Sequence, residues 1–309
     1  MLDARMGNTP EKEGGLMISQ RVFTLALAGT VAALAASAPR HVQAQALPTP
    51  NWLVSGLDLE CYRTPGPSLD IPVNLSHLNP VLIAMGLPQH QVILRELAQT
   101  CVPVRKNNSA PVPAALPFIK HIDFACYRLD AQPFPNPVPL NLTHLNPVLA
   151  NLPQHVVGLK RPAQLCVPVA KNDVLPPPAV LALVKFIDLE CYEVEPGPHP
   201  QFVVGLTQLN PQLMGIPPHP MALVPSPRQL CVPVRKNQQV IPPAIRNLIQ
   251  WIDLEKFAAN PTVQIAPVNV ELSHLNPLFT DLDPEHVILQ EANSLMVPVA
   301  KNGAIPPND

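Results

Sequence analysis

Three kinds of residue that carry chemistry recur at fixed spacing in this chain of 309 residues: histidine, lysine and cysteine. His77, His144 and His274 each follow a hydroxyl residue and precede Leu-Asn-Pro, and Gln208 takes that position once. His90, His155 and His286 recur further on, each two residues after a proline. Two imidazoles per copy are the beginning of a metal site or of acid–base chemistry. Gln208 argues the other way, because an amide replaces a hydrogen-bonding ring better than it replaces a ligand. Turn capping or amphipathic packing is therefore expected of these histidines, with no metal and no cofactor. Lys106, Lys171, Lys236 and Lys301 are each followed by Asn. They offer either a row of cations facing an acidic polymer or turn residues paired with the next copy's Asp. Lys106 precedes Asp123, Lys171 precedes Asp188 and Lys236 precedes Asp253 by one and the same separation, which permits that pairing. The structural role is preferred, and exposed pairs of this kind contribute little.

The six cysteines are regular: Cys61 and Cys101, Cys126 and Cys166, Cys191 and Cys231 share a single spacing. At the equivalent places further on stand Lys256 and Met296. Joint loss of two cysteines is expected if they bond each other, so pairing within each copy is favoured. The rival pairs Cys101 with Cys126 and Cys166 with Cys191 and leaves Cys61 and Cys231 unpaired, which suits an oxidising compartment badly. Closing a loop of this length contributes roughly 4 kcal/mol in the chain-entropy estimate.

These residues ride on a repeat. Asp58-Leu59-Glu60-Cys61-Tyr62 returns at Asp123, Asp188 and Asp253, at a constant step. Cys101-Val102-Pro103-Val104-Arg105-Lys106-Asn107 returns at the same step, ending on Met296 to Asn302. The block Ser76-His77-Leu78-Asn79-Pro80 and its counterparts drift by a residue or two. The first block alternates as a strand does, and Gln91 to Leu94 and His286 to Leu289 are β-branched and extended. Pro103 demands an edge or an irregular strand. The Asn-Pro pairs read as turns, with the hydroxyl residue three before each Asn bonding locally. Ile245, Leu248, Ile249 and Ile252, like Val180, Leu183, Val184 and Ile187, fall at helical spacing after a proline, while Pro117 weakens the corresponding first helix. The expected fold is mainly β: a tandem array of four small antiparallel β modules of about 65 residues, each with a short connecting helix. Module boundaries are expected at 47–122, 123–187, 188–252 and 253–309. The fourth module, without a disulfide and at the end of the array, is expected to fray first.

Composition limits the partners. Net charge is −2 and charged residues are only 14%, so neither nucleic acid nor an anionic membrane surface is indicated. Forty-three prolines against 12 glycines favour short strands and stiff connections, and no Gly-x-y period exists. Arg21 precedes the apolar run Val22 to Ala36, followed by Val42-Gln43-Ala44-Gln45-Ala46, the signature of a signal peptide cleaved after Ala44 or Ala46. Residues 1–46 are thus expected to be leader and signal peptide, with no membrane span once they are removed. A retained anchor is the alternative. Asn74-Leu75-Ser76 and Asn141-Leu142-Thr143 match the glycosylation sequon.

A strand carrying Cys-Tyr, followed at the cysteine spacing by Leu-Cys-x-Pro-Val-x-Lys-Asn, resembles uncharacterised repeats of exported bacterial proteins, a family of unknown function. Here the marks are Cys61-Tyr62 with Cys101 to Asn107, and their second and third copies. The resemblance covers Asp58 to the C-terminus and implies export and a β-rich module, with no activity attached. No nucleophile elbow, phosphate loop or His-Glu-x-x-His occurs. An active site is seldom built four times over, and Trp52 and Trp251 alone make no aromatic platform for sugars. The expected function is non-enzymatic: a structural or interaction role in the periplasm, at the cell surface or outside the cell. The alternative is a ligand-binding protein contacting a glycan or an envelope protein, and less favoured is a hydrolase.

Overall fold

A computed structural model describes residues 46–309. The expected leader lies outside the described residues except for Ala46. The first copy carries α1 (Pro50–Ser55), β1 (Asp58–Arg63), β2 (Ser68–His77), α2 (Pro80–Ala84) and β3 (His90–Lys106). The second carries α3 (Leu116–Ile119), β4 (Phe124–Asp130), β5 (Val138–His144), a 3-10 turn at Pro147–Leu149 and β6 (His155–Lys171). The third carries α4 (Pro178–Val184), β7 (Asp188–Pro196), β8 (Phe202–Gln208), a 3-10 turn at Pro211–Leu213 and β9 (His219–Lys236). The fourth carries α5 (Pro243–Ile249), β10 (Leu254–His274) and β11 (Glu285–Lys301). The fold is mainly β, with eleven strands in one antiparallel sheet.

The pairing closes on itself. β1 pairs with β3, β3 with β4, β4 with β6 and β6 with β7. β7 pairs with β9, β9 with β10, β10 with β11, and β11 returns to β1, where Leu59 faces Met296. The eight strands therefore form a ring, and closure removes the sheet edges an open array would expose. The fourth copy is not a free end, because its β11 is seated against β1 of the first copy, which removes one of the two reasons for expecting it to fray.

Alternation sorts the side chains. Leu59, Cys61, Phe124, Leu189, Leu254 and Met296 share one buried cluster with the helix residues Ile119, Leu183 and Ile249. That cluster draws on all four copies and lies inside the ring. α1 meets α3 and α5, and α3 meets α4, so the helices fill one end of the interior together. Each large apolar side chain buried there contributes about 1.5–3 kcal/mol. Tyr62, Val102, Tyr127 and Val167 belong to a different cluster on the outer face. That face is covered by β2, β5, β8 and the first halves of the long strands: Leu140 and Leu142 of β5, with Val157 and Leu159 of β6, cluster with Tyr192, Leu230 and Val232 of the next copy. α3 is only four residues long, as Pro117 led us to expect, and Ile245, Leu248 and Ile249 are buried on α5.

Alternate copies also exchange strand ends. Leu75 pairs with Lys236, Leu206 with Lys106, Leu142 with Lys301 and Leu272 with Lys171. This exchange explains the repeated proline. Along one side, β3 follows β4 as far as Cys101, then takes β8 from Val104 onward. Pro103 sits at that change of partner, where no N–H donor is needed, while its carbonyl accepts from Leu209 N at 2.9 Å. Pro168, Pro233 and Pro298 accept from Leu275, Leu78 and Leu145 in the same way. Of the two expectations, an edge or an irregular strand, the structure shows the second: the proline marks a seam inside the sheet.

Disulfides join Cys61 to Cys101, Cys126 to Cys166 and Cys191 to Cys231. Each pair is directly cross-strand. The rival arrangement is excluded, although Cys101 and Cys126 sulfurs lie 3.7 Å apart and Cys166 and Cys191 sulfurs 3.8 Å apart. Three disulfides suit an oxidising, exported environment. Among the described residues no helix is long and apolar enough to cross a membrane.

Ring closure gives the first prediction. A chain ending at Asp283, which lacks β11, loses the sharp unfolding transition of the whole ring instead of leaving three intact copies. Circular dichroism melts and limited proteolysis of the oxidised chain check this.

Candidate functional site

One face of the interior is polar. Two residues before the second cysteine of each copy, on the same side of the strand, stand Gln99, Gln164 and Gln229, with Ser294 in the fourth. Beyond the first cysteine in the same sense stand Arg63, Arg128, Glu193 and Ala258. At this end the helices do not fill the ring, and a recess of about 250 Å³ opens. Arg63, Arg128, Arg228, Lys256, Gln99, Gln164, Gln229, Asn293 and Ser294 contribute to its lining, and no carboxylate does. Lys256 replaces a disulfide cysteine here and is buried. Its Nζ donates to Gln99 Oε1, and to Gln164 Oε1 at 2.7 Å. Neither acceptor is charged, so burial alone holds the amine down at about 7. Gln99 Nε2 donates in turn to Asn293 Oδ1 at 2.6 Å, and Gln229 Oε1 has no hydrogen-bond partner among the described residues. Arg63 and Arg128 are largely exposed at the rim, with Glu291 and Glu96 as outer neighbours at 3.9 and 2.9 Å.

The repeated lysines lie elsewhere. Lys106, Lys171, Lys236 and Lys301 are buried, so no cationic row faces solvent. Each pairs with the Asp that opens its own copy: Asp58, Asp123, Asp188 and Asp253. The pairing expected with the next copy's Asp is corrected, because the Asp and the Lys of one copy lie on paired strands. Desolvation pushes each carboxyl up and each amine down, and their contact pulls both back. The next copy's Asn-Pro residue completes the group: Asn146 donates to Asp58 at 2.8 Å, Asn210 to Asp123 and Asn276 to Asp188, and Asn79 closes the ring onto Asp253 at 2.7 Å. The same Asn caps the turn it starts, as Asn79 Oδ1 does for Val81 N at 2.9 Å. The hydroxyl expected to do this bonds elsewhere: Ser76 accepts from Arg235, and Ser273 donates to Asp173. The Asn after each lysine adopts positive φ, and its Oδ1 accepts a backbone N–H from an alternate copy, as Asn107 does from Gly205 at 2.8 Å.

In three of the four clusters the histidines, or Gln208, meet an acid from an alternate copy. His77 and His90 lie against Glu190 and Tyr192; His90 Nε2 is 2.8 Å from Glu190 Oε1. Gln208 and His219 lie against Glu60 and Tyr62, where Gln208 Nε2 donates to Glu60 Oε2 at 2.7 Å. His274 contacts Tyr127, which donates to Glu285, while His286 is turned outward. His144 and His155 meet His199, Glu255 and Phe257. Burial holds His77 and His274 down at about 4 and His144 at about 3.

No family model, curated protein or solved structure matches this chain. Its residues must therefore speak for themselves. Lys256, the glutamine ring, Glu255 and His199 were not singled out from sequence as site residues. Two signals for them existed: a charged residue in place of a core cysteine, and a polar residue held at the step of the repeat.

Two predictions follow from the buried pairs. Lys236→Met strands the Asp188 carboxylate and costs about 3–5 kcal/mol, much of it recovered in the double variant with Asp188→Leu, as denaturant melts will read. The second concerns acid. A ring held near 4 in the folded chain and near 6.5 when unfolded takes its proton first on the unfolded side. The stability it contributes is whole above pH 6.5 and drains as pH falls towards 4. His274→Gln, which copies Gln208, reduces that loss and moves the midpoint of acid unfolding to lower pH.

Proposed function

We propose that this is an exported, non-enzymatic binding protein, four tandem repeats of one β unit closed on themselves, acting in the periplasm, at the cell surface or outside the cell. Its ligand is an anionic group, carboxylate, sulfate or phosphate, on a glycan or envelope partner. The observation that carries this reading is the recess at the open end of the ring. Arg63, Arg128, Lys256 and several amides contribute to its lining and no carboxylate does, while the Arg228 guanidinium in its wall is taken up by Glu255 and the Gly197 carbonyl. Lys256 has no acid of its own, and the guanidinium groups of Arg63 and Arg128 are exposed where an oxyanion could reach them. The lining offers no imidazole, carboxylate or thiol, and its one lowered amine, Lys256, is buried and tied to two glutamine oxygens, so binding rather than turnover is proposed. The three disulfides support the same placement.

A panel of acidic and neutral oligosaccharides, read by calorimetry at two salt concentrations, tests the proposal. Acidic members bind and neutral ones do not, binding weakens with salt, and Arg63→Ala with Arg128→Ala lowers affinity more than about tenfold. Binding indifferent to ligand charge, or unchanged in the double variant, would overturn it.

A further inference from the structure

The four histidine clusters occupy equivalent places, and one of them is built differently. In two of the others a tyrosine hydroxyl satisfies the carboxylate: Tyr62 donates to Glu60 Oε2 at 2.8 Å and Tyr192 to Glu190 Oε2 at 2.7 Å. In the remaining one Tyr127 donates to Glu285 at 2.7 Å, Ala125 standing where the other copies have the acid. At the fourth, the tyrosine position is Phe257, which has no hydroxyl. Glu255 Oε2 is buried there with no hydrogen-bond partner among the described residues. His199, from the segment between β7 and β8, enters instead.

Three imidazole nitrogens converge on this place. Ligand atoms of His144, His155 and His199 all lie within 4.8 Å of one another, and all three residues are buried. His144 Nε2 and His199 Nε2 are 3.2 Å apart. Two nitrogens on one tetrahedral zinc, each about 2.0–2.1 Å from it, stand about 3.3 Å apart. On two of the three rings the opposite nitrogen is already engaged by backbone: His199 Nδ1 lies 2.9 Å from Pro200 O and His155 Nδ1 lies 3.3 Å from Pro153 O, while His144 Nδ1 is buried with no partner among the described residues. Donation of N–H to those carbonyls fixes the tautomer that presents Nε2 as a lone pair, the support that metal-binding imidazoles ordinarily have. It also leaves His155 Nε2 facing Glu255 Oε1 at 2.9 Å, lone pair against lone pair, unless a proton or a cation lies between them. Glu255 Oε2 is 4.0 Å from His144 Nε2. Arg228 Nη1 donates to Glu255 Oε1 at 2.8 Å and steadies the carboxylate from the other side. The second candidate, His77 with His90 and Glu190, lacks a third imidazole and has its carboxylate occupied by Tyr192.

We infer that His144, His155, His199 and Glu255 form a binding site for one divalent transition-metal ion, zinc by the three-nitrogen, one-oxygen donor set. The site joins the second, third and fourth copies, so the ion acts as a clasp between parts of the chain far apart in sequence. It shares no ligand with the anion recess, only Arg228 lying between the two, and either proposal stands if the other fails.

The test loads the full oxidised chain with Co²⁺ and with Zn²⁺ after treatment with a chelator. Expected are one equivalent of metal retained through gel filtration and a cobalt spectrum with the intense visible bands of a four-coordinate ion. A rise in melting temperature with zinc is also expected. His199→Ala and His144→Gln each lose more affinity than removal of a supporting partner costs, which is about 10–100-fold. Phe257→Tyr supplies the hydroxyl that Glu60 and Glu190 already have and weakens binding while every ligand is kept. His77→Gln leaves binding unchanged. Failure of the wild-type chain to retain metal, retention undiminished in His199→Ala and Phe257→Tyr, or loss of the cobalt bands in His77→Gln in place of those variants, would overturn the inference.

Discussion

The buried group of Asp, Lys and Asn is the interaction on which the architecture rests. Each Asp that opens a copy is held by the Lys that closes the same copy and by the Asn of the next one. Taking the two ions out of water costs several kcal/mol each, so the group persists only where partners meet every charge. That condition holds only when neighbouring copies are in register. A strand slipped by one residue would place the lysine outward and leave the Asp alone in an apolar interior. The group thus specifies the arrangement more than it adds to its stability. Because the last Asp is completed by Asn79 of the first copy, the requirement closes the ring.

Closure also explains how the fourth copy does without a disulfide. In the first three, a cross-strand disulfide limits the unfolded ensemble. In the fourth, Met296 fills the apolar half of the vacated space, and Lys256 meets two glutamine oxygens from other copies. The cost of burying that amine is spread over a ring already fixed by its neighbours. Symmetry is broken at the same copy on the outer face, where Phe257 leaves Glu255 short of a donor and His199 is drawn in. Both departures lie side by side on β10, one facing the interior and one facing out. At the equivalent carboxylates Glu60 and Glu190 a tyrosine hydroxyl meets the oxygen that Glu255 leaves without a donor.

Much of the local structure was legible. Alternation gave the strands around Cys61, the i, i+3, i+4 pattern gave α4 and α5, Pro117 shortened α3, and the joint loss of two cysteines gave the disulfide pairing. The repeated lysines and histidines were recognised as a set, but their partners were not. Lys106 meets Asp58, behind it in the chain on a paired strand, rather than Asp123 ahead of it. His155 meets Glu255, which belongs to an alternate copy far along the chain. Pro103 reads as a sign of an edge or an irregular strand because a missing N–H usually means a missing neighbour. Here it means a change of neighbour.

The sequence by itself determined the unit: its length, its strands and short helix, its cysteine pairs and its turn residues, since these follow from periodicity and from contacts within one copy. Only the tertiary structure decided that the units close, which face turns inward, and which polar groups of different copies meet. Contacts between alternate copies depend on the shape of the whole ring, and periodicity along the chain carries no record of the distance across it. The recess and the three-histidine cluster are both made of such contacts, between residues of different copies.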